Sequence, residues 1–196
     1  MFVRKESLRQ YIRLYPIIST LIIVHLSVYL LLTLPMFPNQ LLFEKFAGVN
    51  LYISNGEWWR IVTPIFMHTS FIHLLFNSFT CIIFAPPLEH LLGKNRFLFL
   101  YISAGVFANI ATFFLEPLTY VHIGSSGAIF GLFGFLLFLA IFKKYLLSKD
   151  HAQMIIIIGI LALVFSLTEV NVNVVAHIAG MLFGVIYGFI VLKNKK

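Results

Sequence analysis

Charged residues divide this chain into six long uncharged windows, and no other feature constrains its fold as strongly. The windows are residues 14–43, 61–88, 97–115, 117–142, 152–168 and 170–192. An apolar helix needs about 20 residues to cross a bilayer, with about 17 as a lower limit, and every window is long enough. With 60% hydrophobic and 11% charged residues, the chain has too few charges to cover a soluble surface. The sequence therefore predicts an all-α membrane protein with six transmembrane helices.

The positions of the basic residues predict the orientation of these helices. If the N-terminus is cytoplasmic, twelve of the fourteen lysines and arginines lie on the cytoplasmic side, and only Lys45 and Arg60 lie outside. Cytoplasmic loops carry an excess of Lys and Arg. We therefore expect a multi-pass protein of the cell membrane with both termini in the cytoplasm. The net charge of +7 is then explained by basic residues that set the orientation of the helices in the bilayer, and no nucleic-acid partner is expected.

The windows leave no room for a separate soluble domain. We expect a short cytoplasmic lead-in over residues 1–15, one membrane domain over residues 16–192 and a basic cytoplasmic tail over residues 193–196. The first hydrophobic stretch is kept as a helix, over residues 16–34, because it is long and has no clean signal-peptidase site before Pro35.

The second helix is expected over residues 65–85, starting after Pro64 and ending at Pro86 and Pro87. Between the first two helices lies an outer loop of residues 35–63, which is long enough to suggest a function or disorder. The loop is too apolar for water, so we expect it to lie embedded in the outer membrane interface, anchored by Trp58 and Trp59.

Four polar side chains fall at a similar expected depth on helices that run from outside to inside. His73 and Asn77 are four residues apart and share one face of the second helix. Ser126 lies near the start of the fourth helix and His177 near the start of the sixth. At 1.5 Å per residue, with His73 and Asn77 two to three turns into their helix, all four belong to the outer half of the bilayer.

Small residues provide the close helix packing that a contact between Ser126 and His177 would need. Ala176, Gly180, Gly184 and Gly188 recur every four residues on the sixth helix, and the fourth helix carries a second set at Gly127, Gly131 and Gly134. Such spacing lets helix backbones approach closely in lipid. Histidine is the usual base that activates a serine. His73, Asn77 and backbone N–H groups near Ser126 could then stabilise an oxyanion.

Each of these residues also has a plainer interpretation. A histidine inside the membrane often only bonds one helix to another, which is our interpretation of His25, and His68 is expected to tie the outer loop to the second helix. Ser125 is interpreted as a neutral hydroxyl, Cys81 as a small core residue, and glycine stripes by themselves usually mean packing. Packing alone therefore stays open for Ser126, His177, His73 and Asn77.

Other membrane chemistries fit the sequence less well. Zinc proteases carry His-Glu-x-x-His on one helix face, whereas His68 and His73 are five residues apart with no acid between them. No Asp lies in a predicted span, which excludes an aspartyl dyad and leaves no acid for a triad. Transporters usually show paired broken helices and intramembrane charges, and we expect no buried charge here. The sequence implies no metal and no cofactor.

At these residues the chain resembles the rhomboid family of intramembrane serine proteases. The matching pieces are Trp59-Arg60, His73-Leu-Leu-Phe-Asn77, Gly124-Ser125-Ser126-Gly127 and Ala176-His177-Ile-Ala-Gly180 with Gly184. The resemblance implies a six-transmembrane-helix rhomboid-like bundle with Ser126 as nucleophile, His177 as general base and acid, and His73 and Asn77 as oxyanion-hole side chains. Phe130 takes the place of an aromatic residue that packs on the catalytic histidine, and Glu89 with Gly93 resembles the family's turn after the second helix.

The function implied is an intramembrane serine endopeptidase that uses a Ser126–His177 dyad. Its partners would be transmembrane protein substrates, cleaved near the outer membrane boundary in a cavity open to the outside. The alternative is a non-catalytic membrane protein that binds client transmembrane helices.

Overall fold

The computed structural model describes residue 2 and residues 5–169 and 172–193, which are mostly helical. The elements of this part of the chain are α1 (Leu8–Leu14), α2 (Pro16–Thr33), α3 (Asn39–Phe46), β1 (Gly48–Val49), α4 (Asn50–Ser54), α5 (Phe71–Phe84), α6 (Pro86–Leu92), α7 (Lys94–Leu115), β2 (Val121–His122), α8 (Ser126–Phe142), α9 (Lys149–Thr168) and α10 (Val174–Leu192). Three short 3₁₀ helices cover Trp58–Ile61, Thr63–Phe66 and Lys144–Leu146.

The helices confirm a bundle with several apolar helices of membrane-spanning length. Among the described residues, α2, α7, α9 and α10 are long and apolar enough to cross a bilayer, and α5 with α6 adds a fifth if this bent pair is one span. The apolar helix α8 is shorter, with 17 residues. Each of the six uncharged windows thus contains an apolar helix, while six complete crossings stay a prediction.

The second helix starts later than predicted but ends within one residue of its predicted limit. Pro64 lies in the 3₁₀ helix Thr63–Phe66, and α5 begins only at Phe71. At its other end α5 stops at Phe84, just before Pro86 and Pro87, as predicted. Proline is tolerated in the first turn of a helix, where its missing N–H has no helical partner, so the same two prolines also begin α6, which is bent by 50° from α5. Gly93, with φ of 76°, then turns the chain into α7.

A two-residue antiparallel strand pair is added to the mostly helical bundle that the sequence predicts. Gly48 of β1 lies opposite His122 of β2, which joins the outer loop to the loop before α8. Strands this short leave no hydrophobic alternation that a sequence pattern could reveal. The adjoining Asn50 donates from Nδ2 to the carbonyl oxygens of Thr112, Glu116 and Pro117 at 3.1–3.2 Å and so caps the end of α7.

Two charged side chains are buried, which corrects the expectation of no buried charge. Glu89 on α6 accepts from the backbone N–H groups of Ile17 and Ile18 at 3.0 and 3.1 Å, at the start of α2, where a helix presents unpaired donors. Arg60 donates to Glu57 at 2.7 Å and to the Ala47 carbonyl at 2.6 Å. Both charges are compensated by local partners, so they stabilise the ends and loops of the bundle.

The closest packing in the described fold lies between α8 and α10, as the two sets of glycines predict. A Cβ on Gly180 would overlap the Gly127 carbonyl oxygen, and one on Gly184 would overlap the Gly131 carbonyl oxygen. At Gly188 the same atom would meet the ring of Phe138 instead of backbone. The two backbones are therefore in direct contact near the start of α10 and separated by an aromatic side chain further along the helix.

Alanine at Gly180 should destabilise the protein more than alanine at Gly188. A methyl group at Gly180 meets a backbone carbonyl that cannot rotate away, whereas the Phe138 ring can adjust. Overpacking of this kind costs about 1–3 kcal/mol. Thermal unfolding in detergent should show a clearly lower midpoint for Gly180→Ala than for Gly188→Ala. Equal midpoints would contradict the backbone contact.

Candidate active site

Ser126 stands at the first position of α8, directly after a turn that only glycine can make. Gly124 has φ of 117°, a conformation that residues with a Cβ rarely adopt. Its N–H donates to the Pro64 carbonyl oxygen at 2.9 Å, which ties this turn to the segment before α5. Ser125 is fully buried, while Ser126 is partly accessible. Of the two adjacent serines, Ser126 is therefore the one whose hydroxyl can be reached.

His177 lies one turn into α10, on a helix end that side chains hold in place. Asn173 caps this end: its Oδ1 accepts from the Ala176 N–H at 2.9 Å, and its Nδ2 donates to Thr112 Oγ1 on α7 at 2.9 Å. The imidazole stacks on the ring of Phe130, with centroids 4.0 Å apart and planes 12° apart. The sequence-based prediction that Phe130 packs on this histidine is confirmed.

The two predicted dyad residues lie on facing turns of α8 and α10. A Cβ placed on Gly127, next to Ser126, would lie 3.6 Å from the carbonyl oxygen and 3.7 Å from the Cβ of Ala176, next to His177. Ser126 Oγ forms no hydrogen bond with any residue of the described ranges. The glycine contact thus brings the two turns together without closing a Ser126–His177 bond in this structure.

His73 lies against the turn that precedes Ser126. Its Cε1 is 2.6 Å from where a Cβ on Gly124 would stand, so a side chain at Gly124 and the ring of His73 exclude each other. The rings of His73 and His68 meet edge to face with centroids 5.0 Å apart. His73 therefore lies beside the turn that leads into Ser126.

Asn77 is held by His68, as Asn77 Nδ2 lies 3.0 Å from His68 Nε2. The same imidazole nitrogen lies 3.4 Å from Ser125 Oγ. His68 thus ties α5 to Ser125 before α8, and the expected tie to the outer loop of residues 35–63 stays a prediction. His25 lies 3.4 Å from the Tyr101 hydroxyl across α2 and α7, which confirms its interpretation as a helix-to-helix contact. Within the described ranges, no three His, Cys, Asp or Glu side chains form a group that could hold a metal ion.

The expected depth of His73 and Asn77 needs correction. Because α5 begins at Phe71, His73 is its third residue and Asn77 its seventh, so both lie within its first two turns. The late start of α5 brings His73 closer to the level of Ser126 and His177, which also stand in the first turns of their helices.

Comparison with known proteins agrees with this arrangement. Residues 55–194 match the Rhomboid domain. The chain belongs to the rhomboid family. The matched range contains the four motifs that carry the resemblance, and it includes Ser126, His177, His73 and Asn77.

Two rhomboids of Bacillus subtilis (strain 168) are similar to this chain. It is 42% identical to "Putative rhomboid protease YdcA" over 196 residues, which is 100% of this chain and 98% of YdcA. It is 37% identical to "Rhomboid protease GluP" over 138 residues, which is 70% of this chain but 27% of GluP. A plant relative, "RHOMBOID-like protein 6, mitochondrial" of Arabidopsis thaliana, is 29% identical over 159 residues, or 79% of this chain and 51% of that protein.

Two residues near this rhomboid site were not singled out from the sequence. Ser166 on α9 lies 2.7 Å from His177 Nδ1. It could have been noticed as a hydroxyl near the C-terminal end of an apolar window, but helical spacing alone does not tell which face of the helix it occupies. His122 lies under Gly48 in the strand pair, a contact that depends on the pairing of two loops far apart in sequence.

The burial of His122 predicts that the strand pair of Gly48 and His122 is sensitive to acid. Burial lowers its pKa from 6.5 to about 4, and within the described residues neither ring nitrogen has a hydrogen-bond partner. The folded loops therefore keep the ring neutral, whereas an exposed ring takes up a proton once the pH falls below about 6.5. The stability that neutral His122 contributes is present above that pH and is lost progressively down to pH 4.

Replacement of His122 by phenylalanine should remove this share of the acid sensitivity. The ring keeps its shape beside Gly48 but can no longer bind a proton. Melting temperatures in detergent at pH 7.5 and pH 5 should drop less for His122→Phe than for the parent protein. The same drop in both proteins would show that His122 does not respond to acid as its burial implies.

Proposed function

We propose that this rhomboid is an intramembrane serine endopeptidase that hydrolyses peptide bonds of transmembrane protein substrates with a Ser126–His177 dyad. One observation carries the proposal: the accessible hydroxyl of Ser126 and the imidazole of His177 stand on turns that pack backbone to backbone, and Phe130 fixes the plane of the imidazole at 4.0 Å. The rhomboid relatives YdcA and GluP carry the word protease in their names.

The reaction would proceed through an acyl-enzyme. Ser126 Oγ attacks the substrate carbonyl carbon while His177 Nε2 takes the hydroxyl proton. The carbonyl oxygen becomes an oxyanion, to which His73, Asn77 and a backbone N–H near the start of α8 donate. The intermediate then expels the amine, which receives the proton from His177. His177 then deprotonates a water molecule, which attacks the Ser126 ester and releases the new carboxyl end. His177 finally returns the proton to Ser126 Oγ.

The oxyanion role of the side chains is supported by their surroundings. The His73 ring lies against Gly124, two residues before Ser126. The Asn77 amide has two N–H groups, of which one suffices for the 3.0 Å contact with His68. The second N–H is then available to an oxyanion. Such donors contribute most when they are fixed before the reaction begins, because no reorganisation is needed during it.

The expected surroundings of the site complete the proposal. All six apolar helices would cross the membrane, with both termini in the cytoplasm and the site open to the outside. The outer loop would lie in the interface, where half-exposed Trp58 and Trp59 suit the boundary between lipid and water. Substrates would be cut near their outer boundary. No metal or other cofactor takes part in the proposed steps.

A second candidate function is the binding of client transmembrane helices without catalysis. It is favoured by one observation, that Ser126 Oγ forms no hydrogen bond with His177 or any other residue of the described ranges. Catalytic hydrogen bonds are often long or poorly aligned in the absence of substrate, so the observation is compatible with the endopeptidase as well. A cleavage assay separates the two functions.

Ser126→Ala should abolish cleavage of a model transmembrane substrate by the purified protein in liposomes, because no other group stands in its place. Ser125→Ala should lose less than about tenfold, since the Ser125 hydroxyl is buried and bonds to His68. The measurement is the rate of product formation on gels, with detergent melting as a control for folding. Activity that survives Ser126→Ala and disappears in Ser125→Ala would reverse the assignment.

The orientation can be tested with single cysteines in a Cys81→Ala background. Asn55→Cys in the outer loop should react with an impermeant maleimide added to intact cells. Lys149→Cys, at the start of α9, should react only after the membrane is opened, because it follows the basic segment expected in the cytoplasm. The opposite pattern would place the candidate site on the cytoplasmic side.

A further inference from the structure

Ser166 on α9 forms two hydrogen bonds that together define the state of His177. Its Oγ lies 2.8 Å from the Ala162 carbonyl oxygen, one turn earlier on α9, and 2.7 Å from His177 Nδ1 on α10. The side chain is buried, with 2% of its surface exposed, and His177 with 7%. Water therefore has little access to this pair, so the Ser166 hydroxyl, the Ala162 carbonyl oxygen and His177 Nδ1 must find their hydrogen-bond partners among themselves.

Counting protons assigns a direction to each bond. A serine hydroxyl has one proton, and a carbonyl oxygen can only accept. Two oxygens 2.8 Å apart repel each other unless a proton lies between them, so the Ser166 proton points to Ala162. Ser166 Oγ must then accept a hydrogen bond from His177, which places the imidazole N–H on Nδ1. The other ring nitrogen, Nε2, is left with its lone pair.

The two contacts to His177 restrict different motions of its ring. Stacking on Phe130 fixes the plane of the imidazole. It does not distinguish the two ring nitrogens, because a ring that is turned over stacks equally well. Ser166 removes that ambiguity, since only Nδ1 reaches its hydroxyl. A base for Ser126 needs an unprotonated Nε2, which is the state that the Ser166 bond leaves.

We propose that Ser166 is a positioning residue that holds His177 in the Nδ1–H tautomer and directs the Nε2 lone pair toward Ser126. This inference rests on the proposed dyad. It gives the dyad a third, neutral member on a separate helix. A hydroxyl suits this apolar surrounding, because it accepts a hydrogen bond from Nδ1–H without the cost of burying a carboxylate. The tautomer of a histidine is commonly set by the partner of its second nitrogen.

The test compares two nearly isosteric replacements, Ser166→Thr and Ser166→Val. Both add the same bulk to α9, but only threonine keeps a hydroxyl that can bond to Ala162 and His177. We expect kcat for a model transmembrane substrate to fall about ten- to a hundredfold in Ser166→Val with little change in KM. Ser166→Thr should keep most of the parent kcat. Thr168→Val, the same loss of a hydroxyl at an exposed site on α9, should behave like the parent.

A spectroscopic readout separates positioning from packing. Nitrogen-15 NMR of histidine-labelled protein distinguishes a ring N–H at Nδ1 from one at Nε2, and the signals of His177 are identified by their loss in His177→Phe. The parent and Ser166→Thr should show the Nδ1–H form. Ser166→Val should show a mixture with Nε2–H. An Nε2–H form in the parent, an unchanged tautomer and kcat in Ser166→Val, or a Ser166→Thr as slow as Ser166→Val would overturn the proposal.

The NMR measurement distinguishes a failure of the Ser166 proposal from a failure of the proposed endopeptidase function. The tautomer is read without substrate, so a protein that cleaves nothing can still show whether Ser166 holds His177. Full cleavage by Ser126→Ala, together with an Nδ1–H tautomer that depends on Ser166, would reject the dyad. It would also reject the positioning role, since the Nε2 lone pair would then serve no reaction.

Discussion

The direct contact between the backbones of α8 and α10 is the interaction on which the candidate site depends. Gly180 and Gly184 leave no space for a side chain against the carbonyl oxygens of Gly127 and Gly131. Because Ser126 precedes the first of these contacts and His177 lies one turn from it, the glycines determine how far apart the two side chains stand. A displacement of about 1 Å at such a site can cost about a hundredfold in rate. If the proposed dyad is correct, the small residues serve the chemistry as well as the packing.

Polar side chains hold the ends of the helices around this contact. Glu89 caps α2, Asn50 caps α7, and Asn173 caps α10 and links it to α7. Unpaired backbone groups are costly in an apolar surrounding. Each cap therefore supplies hydrogen-bond partners to the backbone at a helix end and holds that end in position. The turn before Ser126 is held from two sides, by Pro64 and by the ring of His73. The proposed nucleophile, Ser126, therefore follows a turn that its neighbours already hold in place.

The apolar helices and the small-residue contact between α8 and α10 could be predicted from the sequence, because both follow from local pattern, whereas the roles of the candidate site residues stay proposals. Windows without charge locate α2, α7, α9 and α10, and glycines four residues apart predict which face of α10 meets α8. The late start of α5 could not be predicted, since Pro64 is equally compatible with a helix start and with the 3₁₀ helix it occupies. The strand pair of Gly48 with His122 and the bond of Ser166 to His177 join distant segments. No spacing within one window encodes such contacts.

The claim that Ser126 is a nucleophile activated by His177 is tested most directly by a fluorophosphonate, which forms a stable bond only with an activated serine. The purified protein would be incubated with the reagent, digested, and analysed by mass spectrometry to locate the adduct. We predict an adduct on Ser126 in the parent protein and none in a folded His177→Phe variant. An adduct on Ser125, an adduct that persists without His177, or no adduct under conditions that label a known serine protease would contradict this account.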